Sequence, residues 1–578
     1  DPPTPMFRVN GQPAIGLAIS MRERADILAL GANIRTAMDE IRAGLPVGIE
    51  PVLVADQSTI VDHAINDFLT SLIQAIVIIL LCSFVSLGVR PGVVVALAIP
   101  ITLALVFTVM NQQHIALQRV SLGALIIALT LLVDDAMTTV DAMQRRLAAG
   151  DAPDVAASFA YRTLAAPMLI GTLVTIASFV PVGFAPGGAS EVLSSLFWVV
   201  AIALIASWLV AVVFAPIIGK ALLKPPAPVQ GEPKPSKLKN GYQALLRGAI
   251  RLRWVTIGVT VAMFAAAMLA LPLVPRQFFP SSDRPELQVD LTLRQNASIF
   301  ASQGVAERVE ALLDGDPDVD HYSTYVGRGA IRFYLPLSVH LANPFFSQLI
   351  VIAKDIEARD RLQARLEKTL AVDFPEVVAR VSPLEMGPPV GWPLQYRVTG
   401  PDKEELRRIA EDVAKLMAAD SRVRNLNYDW MEPARQLRVH IDQDEARRLR
   451  ISTASIASVL HSAVSGTTIT QVRDDIYLVN VVARAADGER ASFDTLASLQ
   501  VPTPSGRMVP LSQFARFSEE QEFPLVWRRD RVPTLTVRAD VTHGVLPESV
   551  VAAIGPGIAE YSAKLPRGYK IETGGLYE

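Results

Sequence analysis

Six runs of apolar residues, crowded into the first half of the chain, constrain its fold more than any other feature. They cover Phe68 to Leu87, Gly92 to Met110, Val120 to Met143, Ala166 to Phe184, Leu196 to Ile217 and Trp254 to Val274. Each is long enough, or nearly so, for the roughly 20 residues a helix needs to cross about 30 Å of hydrocarbon. An α-helical membrane bundle is therefore expected. Composition agrees: 51% of the 578 residues are hydrophobic and only 19% charged, with a mean hydropathy of +0.32, too apolar for an ordinary soluble protein. A net charge of −3 and the lack of any long basic run give nucleic-acid binding no support. The single cysteine, Cys82, lies inside an apolar run and excludes an internal disulfide. Residue 1 is Asp and no signal-like segment precedes it, so the sequence is expected to be a piece of a longer protein.

Basic residues between the runs set an orientation. The first and third connections carry Arg90, then Arg145, Arg146 and Arg162. The fifth carries Lys220, Lys224, Lys234, Lys237, Lys239, Arg247, Arg251 and Arg253, whereas the second and fourth offer only Arg119. Odd connections are thus expected in the cytoplasm, and both flanking regions outside it. "KPPAPVQGEPKPSK" (Lys224 to Lys237) reads as a cytoplasmic linker. "GYQALLRGAIRLRW" after it reads as an amphipathic helix lying on the membrane surface.

The residues after Pro275 return to ordinary composition. "ELQVDLTL" (Glu286 to Leu293) alternates as a half-buried strand does. A helix with Val305, Val309 and Leu312 on one face follows, then a strand near "HYSTYVG". The order recurs in "PLQYRVTG" (Pro393 to Gly400), a helix carrying Leu406, Ile409, Val413 and Leu416, and "VRNLNYDW" (Val423 to Trp430). These are β-α-β units of the ferredoxin-like kind, and a further α/β module is expected from Glu432 to Pro524. One repeat links the two flanks. "QPAIGLAISM" leads through a helix to "LPVGIE", and "VPTLTVRADV" through a helix to "LPRGYK". Pro13 to Pro46 and Pro533 to Pro566 both span 33 residues. A module duplicated on both sides of a membrane block marks a pseudo-symmetric transporter.

The third run contains "LTLLVDDAMTTVD", Leu129 to Asp141, with adjacent carboxylates at Asp134 and Asp135. A span ending at Val133 would leave them at the water interface. Arg119, however, lies 15 residues before Asp134, and Arg145 lies 10 after Asp135. The stretch between the two arginines is about one bilayer thick at 1.5 Å per residue, which puts both carboxylates in the inner half of the membrane. An ionised Asp near a helix centre costs about 2.5–3.5 kcal/mol, so the pair costs roughly 5–7 kcal/mol. The Leu, Ile and Val residues from Val120 to Val133 return only about 3–5 kcal/mol together. The pair should therefore face the interior of a bundle, or carry protons, or both. Such carboxylates suit a proton relay rather than hydrolysis. None of the other five runs carries a Lys or Arg in its middle, so the counter-cation is expected on a helix outside this chain.

At this point the residues resemble a known family. "LLVDDAMTTVDAM" is similar to the fourth-helix motif of the resistance-nodulation-division (RND) transporters, in particular the hydrophobe/amphiphile efflux pumps, matched at Asp134, Asp135, Ala136 and Asp141. "GQPAIGLAISM", "LGANIRTAMDEIRAGLP", "SLGVRPGVVVALAIPITL" and "PRQFFPSSDRPELQVDL" fit it too, and "YVGRGAIRFYLPL" resembles the triclosan-type branch. The resemblance covers nearly the whole chain, from the end of the first periplasmic porter region through helices two to seven to the second. It implies an α-helical membrane bundle with α+β periplasmic domains and pseudo-duplicated ferredoxin-like porter subdomains. By residue number these are 1–66, end of the first porter region; 67–223, five spans; 224–253, linker and surface helix; 254–275, the sixth span; 276–391, a porter subdomain; 392–431 and 528–578, the two parts of another; and 432–527, a docking-like subdomain.

The resemblance also implies a function. It is that of a proton-driven, homotrimeric, multi-pass permease of the bacterial inner membrane that exports hydrophobic small molecules with a periplasmic adaptor and an outer-membrane channel. Asp134 and Asp135 would bind the proton opposite a Lys on the tenth helix. Met137, Thr138 and Thr139 replace a more apolar run, and Asp141 replaces a Glu. The Gly- and Phe-rich loop of the multidrug members is shortened here to "YVGRGAIRFYLP", which argues against broad multidrug specificity. Tyr325, Phe333, Tyr334, Phe345 and Phe346 cluster where the family holds its drug pocket, with Trp392 and Trp430 as further cleft residues, although aromatics on strands are more often core. Metal export by an RND relative is the nearest rival, yet Met386, Met417, Met431 and Met508 are scattered without His or Cys companions. A non-pumping scaffold or receptor has no need of the tandem aspartates. No nucleophile–base pair or metal-ligand spacing emerges, so no enzyme, metal or cofactor is expected. The offset of 520 residues between Pro13 and Pro533 carries Phe68 to about 588, where a second membrane block holding a buried cation is expected.

Overall fold

A computed structural model of the chain describes residues 5–575, apart from 24, 185–187, 224–236, 272–281, 335, 386, 388–389, 431–432 and 491–492. It divides into two compact units. One is Leu17–Pro275 with Phe333–Leu335; the other is Asp1–Gly16 with Arg276–Arg332 and Pro336–Glu578.

The first unit is helical: α1 (Ile27–Gly44), α2 (Gln57–Leu87), α3 (Val89–Gln112), α4 (Arg119–Ala148), α5 (Pro153–Gly183), α6 (Gly188–Leu209), a π-turn (Val210–Phe214), α7 (Ala215–Leu222), α8 (Lys237–Arg251) and α9 (Arg253–Ala270). Among the described residues six stretches are long and apolar enough to cross a membrane: Gln57–Val85, Val89–Gln112, Val120–Ala148, Pro153–Gly183, Leu193–Leu222 and Arg253–Ala270. Each expected run falls on one of them, although Val274 and linker residues 224–236 lie outside the described residues. α2 outruns its apolar run because a polar cap, not hydropathy, sets its start. Asp56 accepts from Ser58 N at 2.9 Å and Thr59 N at 3.4 Å, so α2 begins well before Phe68. Gly88, at φ +91°, breaks α2 from α3. The core lies where α3, α4 and α6 meet, with Val95, Val106, Leu125, Leu129, Val199 and Val200 buried.

In the second unit β1 (Met6–Val9), β2 (Gln12–Pro13), β3 (Glu286–Thr292), α10 (Ile299–Leu313), β4 (Val319–Val326), β5 (Phe346–Ala353), α11 (Ile356–Asp373) and β6 (Val378–Pro383) form a sheet of order β2-β1-β4-β5-β3-β6. Then come β7 (Leu394–Thr399), α12 (Lys403–Ala418) and β8 (Val423–Tyr428). An inserted module follows: β9 (Ala434–Ile441), α13 (Gln443–Arg448), α14 (Thr453–Val464), the hairpin β10 (Thr467–Asp474) and β11 (Tyr477–Ala483), α15 (Asp487–Arg490), α16 (Phe493–Ser498), β12 (Gln500–Pro502), β13 (Met508–Pro510) and β14 (Ala515–Glu522). Last are β15 (Arg528–Arg529), β16 (Val532–Val541), α17 (Pro547–Ser562) and β17 (Lys570–Gly575), with β16 paired to both β7 and β8, and β17 to β7. Each expected β-α-β unit is thus completed by a second, β5-α11-β6 or β16-α17-β17, into a ferredoxin-like fold. Leu312 departs from expectation. It is 38% exposed, and Leu313 is buried instead, because the stripe Val305, Val309, Leu313 steps by four residues per turn.

The repeat is present in backbone geometry. The β1–β2 hairpin pairs Arg8 with Pro13 and Val9 with Gln12, and the β15–β16 hairpin pairs Arg528 with Pro533 and Arg529 with Val532. Both turns put two residues at positive φ: Asn10 and Gly11 in the first, Asp530 and Arg531 in the second. Helices begin at Ile27 and Pro547, and Gly48 (φ +97°) matches Gly568 (φ +92°). The strands expected around α1 are a different matter. "QPAIGLAISM" is strand only at Gln12–Pro13, and "LPVGIE" forms none. Strands need neighbours: β16 lies between β7 and β8, whereas beyond Ala14, whose N–H donates to the Phe7 carbonyl oxygen at 2.9 Å, residues 15–22 pair with no strand among those described.

Candidate functional site

The acidic pair sits within α4 as expected, with Asp134 exposed and Asp135 half-buried. Thr138 Oγ1 donates to the Asp134 carbonyl oxygen at 2.8 Å, and Asp141 pairs with Arg145 at 2.7 Å one turn on. Directly after the pair, Ala136 is buried against Ala98 of α3 and Val210 of the π-turn. Three small or branched side chains at that crossing let α4 approach its neighbours closely. Ser207 Oγ donates to the Leu132 carbonyl oxygen at 2.8 Å, and Thr102 Oγ1 to the Ala98 carbonyl oxygen at 2.8 Å. Both bonds satisfy groups that hydrocarbon would leave stranded. Thr139, which departs from the family motif, is buried with its hydroxyl 3.9 Å from Met168 Sδ of α5.

Sequence reasoning missed the π-turn and Ser207. A signal for the π-turn exists in Pro216, which has no N–H to give the Val212 carbonyl in an α-helical register and crowds it as well. π-turns inside α-helices recur at functional sites, and this one lies against the residue that follows the acidic pair.

In the other unit, one face of the six-stranded sheet packs on α10 and α11 through Leu287, Val289, Leu291, Leu349 and Val351. The opposite face carries a row in register across five strands: Phe7 opposite Tyr325, Tyr325 opposite Gln348, Gln348 opposite Asp290, and Asp290 opposite Arg380. The row runs from aromatic to charged. Phe7 and Tyr325 have ring centroids 4.9 Å apart. Gln348 Nε2 donates to Asp290 Oδ1 at 2.7 Å, and Gln288 Nε2 donates to the same carboxylate at 3.0 Å. The segment between β4 and β5 closes over this face. Ala330 N donates to Gln348 Oε1 at 2.6 Å, and the His340 ring stacks on Phe346 at 4.5 Å with Nε2 3.6 Å from Asp290 Oδ2. Burial pushes the Tyr325 phenol up from its ordinary value.

Beyond Arg380 the row reaches the neighbouring module. Arg380 Nε lies 3.3 Å from Asp540 Oδ1 on β16, and the Arg380 and Arg538 guanidinium carbons lie 5.3 and 5.4 Å from the Trp392 ring centre. Burial pushes the carboxyls of Asp540 and Asp429 up and the Arg538 guanidinium down.

The aromatic residues singled out from sequence are not one cluster. Tyr325 and Phe346 share the face just described. Phe345 packs instead toward the α10/α11 core, and Phe333 and Tyr334 are half-buried and belong to the helical unit. Trp392 is held between the two guanidiniums, and Trp430, 2% exposed, is core, tilted against Phe523 at 5.7 Å. Phe7 joins the group unforeseen, since only strand register brings it beside Tyr325.

Comparison with known proteins gives consistent matches. The model of the AcrB/AcrD/AcrF family matches residues 4–578. The swarming motility protein SwrC of Bacillus subtilis is 23% identical over 98% of this chain and 54% of its own length. The toluene efflux pump membrane transporter TtgE of Pseudomonas putida is 23% identical over 98% of the chain and 56% of its own length. A crystal structure of a heavy metal efflux pump superposes with a TM-score of 0.78 at 22% identity, covering 96% of this chain and 56% of that one. The chain spans about half the length of the relatives it matches.

Proposed function

This chain belongs to the AcrB/AcrD/AcrF family of RND permeases, and from that premise we propose that it is the proton-binding and substrate-receiving portion of an inner-membrane efflux pump. The pump exchanges protons for hydrophobic or amphiphilic small molecules. It works as a homotrimer with a periplasmic adaptor and an outer-membrane channel. Asp134 and Asp135 take up and release the transported proton, and the face of Tyr325 and Phe346 receives the substrate.

One observation carries this reading: two adjacent carboxylates sit inside a membrane-length helix, one of them on its exposed side. An ionised pair there costs roughly 5–7 kcal/mol, a cost that a scaffold or receptor has no reason to bear. Small-molecule export is favoured over metal export by the methionines. Met417 is on the buried face of α12 and Met508 is exposed on β13, so the two do not converge. Met386 and Met431 lie outside the described residues.

The test is Asp135→Asn in the full-length protein, which keeps the size of the side chain and removes its titration. Export of an amphiphilic dye should be lost while abundance and assembly in the membrane stay at the parent level. Undiminished export by the Asn variant would overturn the proton role assigned to the pair.

A further inference from the structure

On the polar face of the six-stranded sheet, Asp290 is held by amides and by no guanidinium. Gln288 Nε2 lies 3.0 Å from each of its carboxylate oxygens, and Gln348 Nε2 donates to Oδ1 at 2.7 Å. Arg380 stands opposite in register but turns to Asp540 and Trp392. Among the described residues no Lys or Arg pairs with Asp290, whose side chain is only 13% exposed. Its charge reaches Glu385, whose carboxyl is pushed up by burial, with Asp290 adding to the rise. A carboxylate so enclosed calls for a cation as well as amides.

His340, on the segment between β4 and β5, brings its imidazole to this spot. The ring stacks on Phe346 with centroids 4.5 Å apart and planes 26° from parallel, and Nε2 lies 3.6 Å from Asp290 Oδ2. Backbone contacts, not the imidazole, fix the segment there. Gly327 N donates to the Phe346 carbonyl oxygen at 2.8 Å, Asn343 N to the Gly327 carbonyl oxygen at 2.9 Å, and Ala330 N to Gln348 Oε1 at 2.6 Å. Gly329 passes so close that a Cβ on it would meet His340 Cβ at 2.9 Å. The imidazole itself is loosely held: 3.6 Å is beyond hydrogen-bond reach, and the side chain is 37% exposed. Phe346 beneath it is buried. All these residues belong to one sheet and the segment that crosses it, so the arrangement is complete within a single module.

We propose that His340 is a built-in stand-in for the substrate, and that this face selects molecules whose flat aromatic ring carries a cationic nitrogen. The proposal rests on the reading above that the face of Tyr325 and Phe346 receives the exported molecule. The arriving ring takes the place of the imidazole on Phe346, and its nitrogen meets Asp290 Oδ2 at hydrogen-bond distance. His340 swings out through the exposed side of its site, while the backbone bonds keep the segment closed over the sheet. A neutral ring gains the same stack but nothing from Asp290, so it displaces His340 less readily. Asp290 is thus the specificity-determining residue, and His340 the competitor that a substrate must outbid.

The test is equilibrium binding to the purified full-length protein in detergent at mildly alkaline pH, read by ligand fluorescence. One probe is an aminoacridine dye, cationic under these conditions; the other is acridine, the same fused rings without charge. Asp290→Asn should weaken the aminoacridine about tenfold or more, the loss of one charge-assisted contact. Acridine should change less than about threefold in the same variant, which also reports that the face is intact. His340→Ala should tighten the aminoacridine about three- to tenfold, because one aromatic stack no longer has to be displaced. An aminoacridine affinity unmoved by Asp290→Asn, equal losses of both probes in that variant, or weaker aminoacridine binding by His340→Ala would overturn the proposal while the receiving face stands. If neither probe binds the parent protein, the receiving face itself fails, and the proposal with it.

Discussion

Arg8 offers a quantitative test of how the first few residues are held against a module that begins near residue 282. Its Nε donates to both carboxylate oxygens of Glu310 at 3.1 Å, Nη2 to Oε2 at 2.9 Å and to the Gly11 carbonyl oxygen at 2.6 Å, while Nη1 lies 3.1 Å from Glu307. The side chains of Arg8 and Glu310 are only 14% and 5% exposed. Arg8→Met would leave the Glu310 carboxylate buried without its cation, a loss of about 3 kcal/mol, the low end of the range because Arg8 keeps some access to solvent. Expressed as local opening, that is a roughly 150-fold faster amide exchange in residues 5–13, where β1 pairs with β4. Replacing both partners, Arg8→Met with Glu310→Leu, removes the stranded charge and should return exchange to within about threefold of the parent. Hydrogen exchange with mass spectrometry on the full-length protein in detergent reads this directly. Unchanged exchange in Arg8→Met, or a double variant as fast as the single one, would refute the argument.

Two further outcomes follow from the outer region. Asp420 is held at about 2 by the Arg422 guanidinium and backbone N–H. A depressed carboxyl adds stability that is present above the ordinary Asp range near pH 4 and lost as pH falls through about 2. Asp420→Asn should therefore flatten the acid limb of a protease-resistance profile between those values, and an unchanged limb would contradict the assignment. Trp430→Ala removes a wholly buried ring from the core beneath α12 and should cost about 3–5 kcal/mol, seen as early thermal loss of the outer module, with Trp430→Phe intermediate; a loss below about 1 kcal/mol would mean that Trp430 is not core.

What the sequence made legible was whatever repeats locally. Glu286–Thr292 alternates, Leu406, Ile409 and Val413 recur at helical spacing, and six apolar runs announce six membrane-length helices. Helix ends were less legible because Asp56, a single capping residue, moves the start of α2 into polar sequence. In β5 the stretch "LIVIA" (Leu349 to Ala353) is apolar without a break, and periodicity cannot assign it to a strand or a buried helix. The acidic pair was readable because charge inside an apolar run stands out. The row from Phe7 to Arg380 was not, since it exists only through register among strands drawn from residues 6–383, and no local pattern encodes which strand lies beside which. The same limit separated Trp430 from the other aromatics: its neighbours Phe523 and Leu535 are distant in sequence.

The matched hairpins make the chain its own control experiment. From the Asn10–Gly11 and Asp530–Arg531 turns, through helix starts at Ile27 and Pro547, to Gly48 and Gly568, equivalent positions keep one constant spacing. The local conformational code has been written twice. Its surroundings have not: Ile15 is 100% exposed, whereas its counterpart Leu535 is 1% exposed. A substitution made at both members of such a pair meets the same positive-φ turn, the same spacing to the helix start and the same left-handed glycine. Any difference between the two responses is then free of intrinsic propensity and reports tertiary packing alone, a separation that single-site mutagenesis cannot ordinarily make.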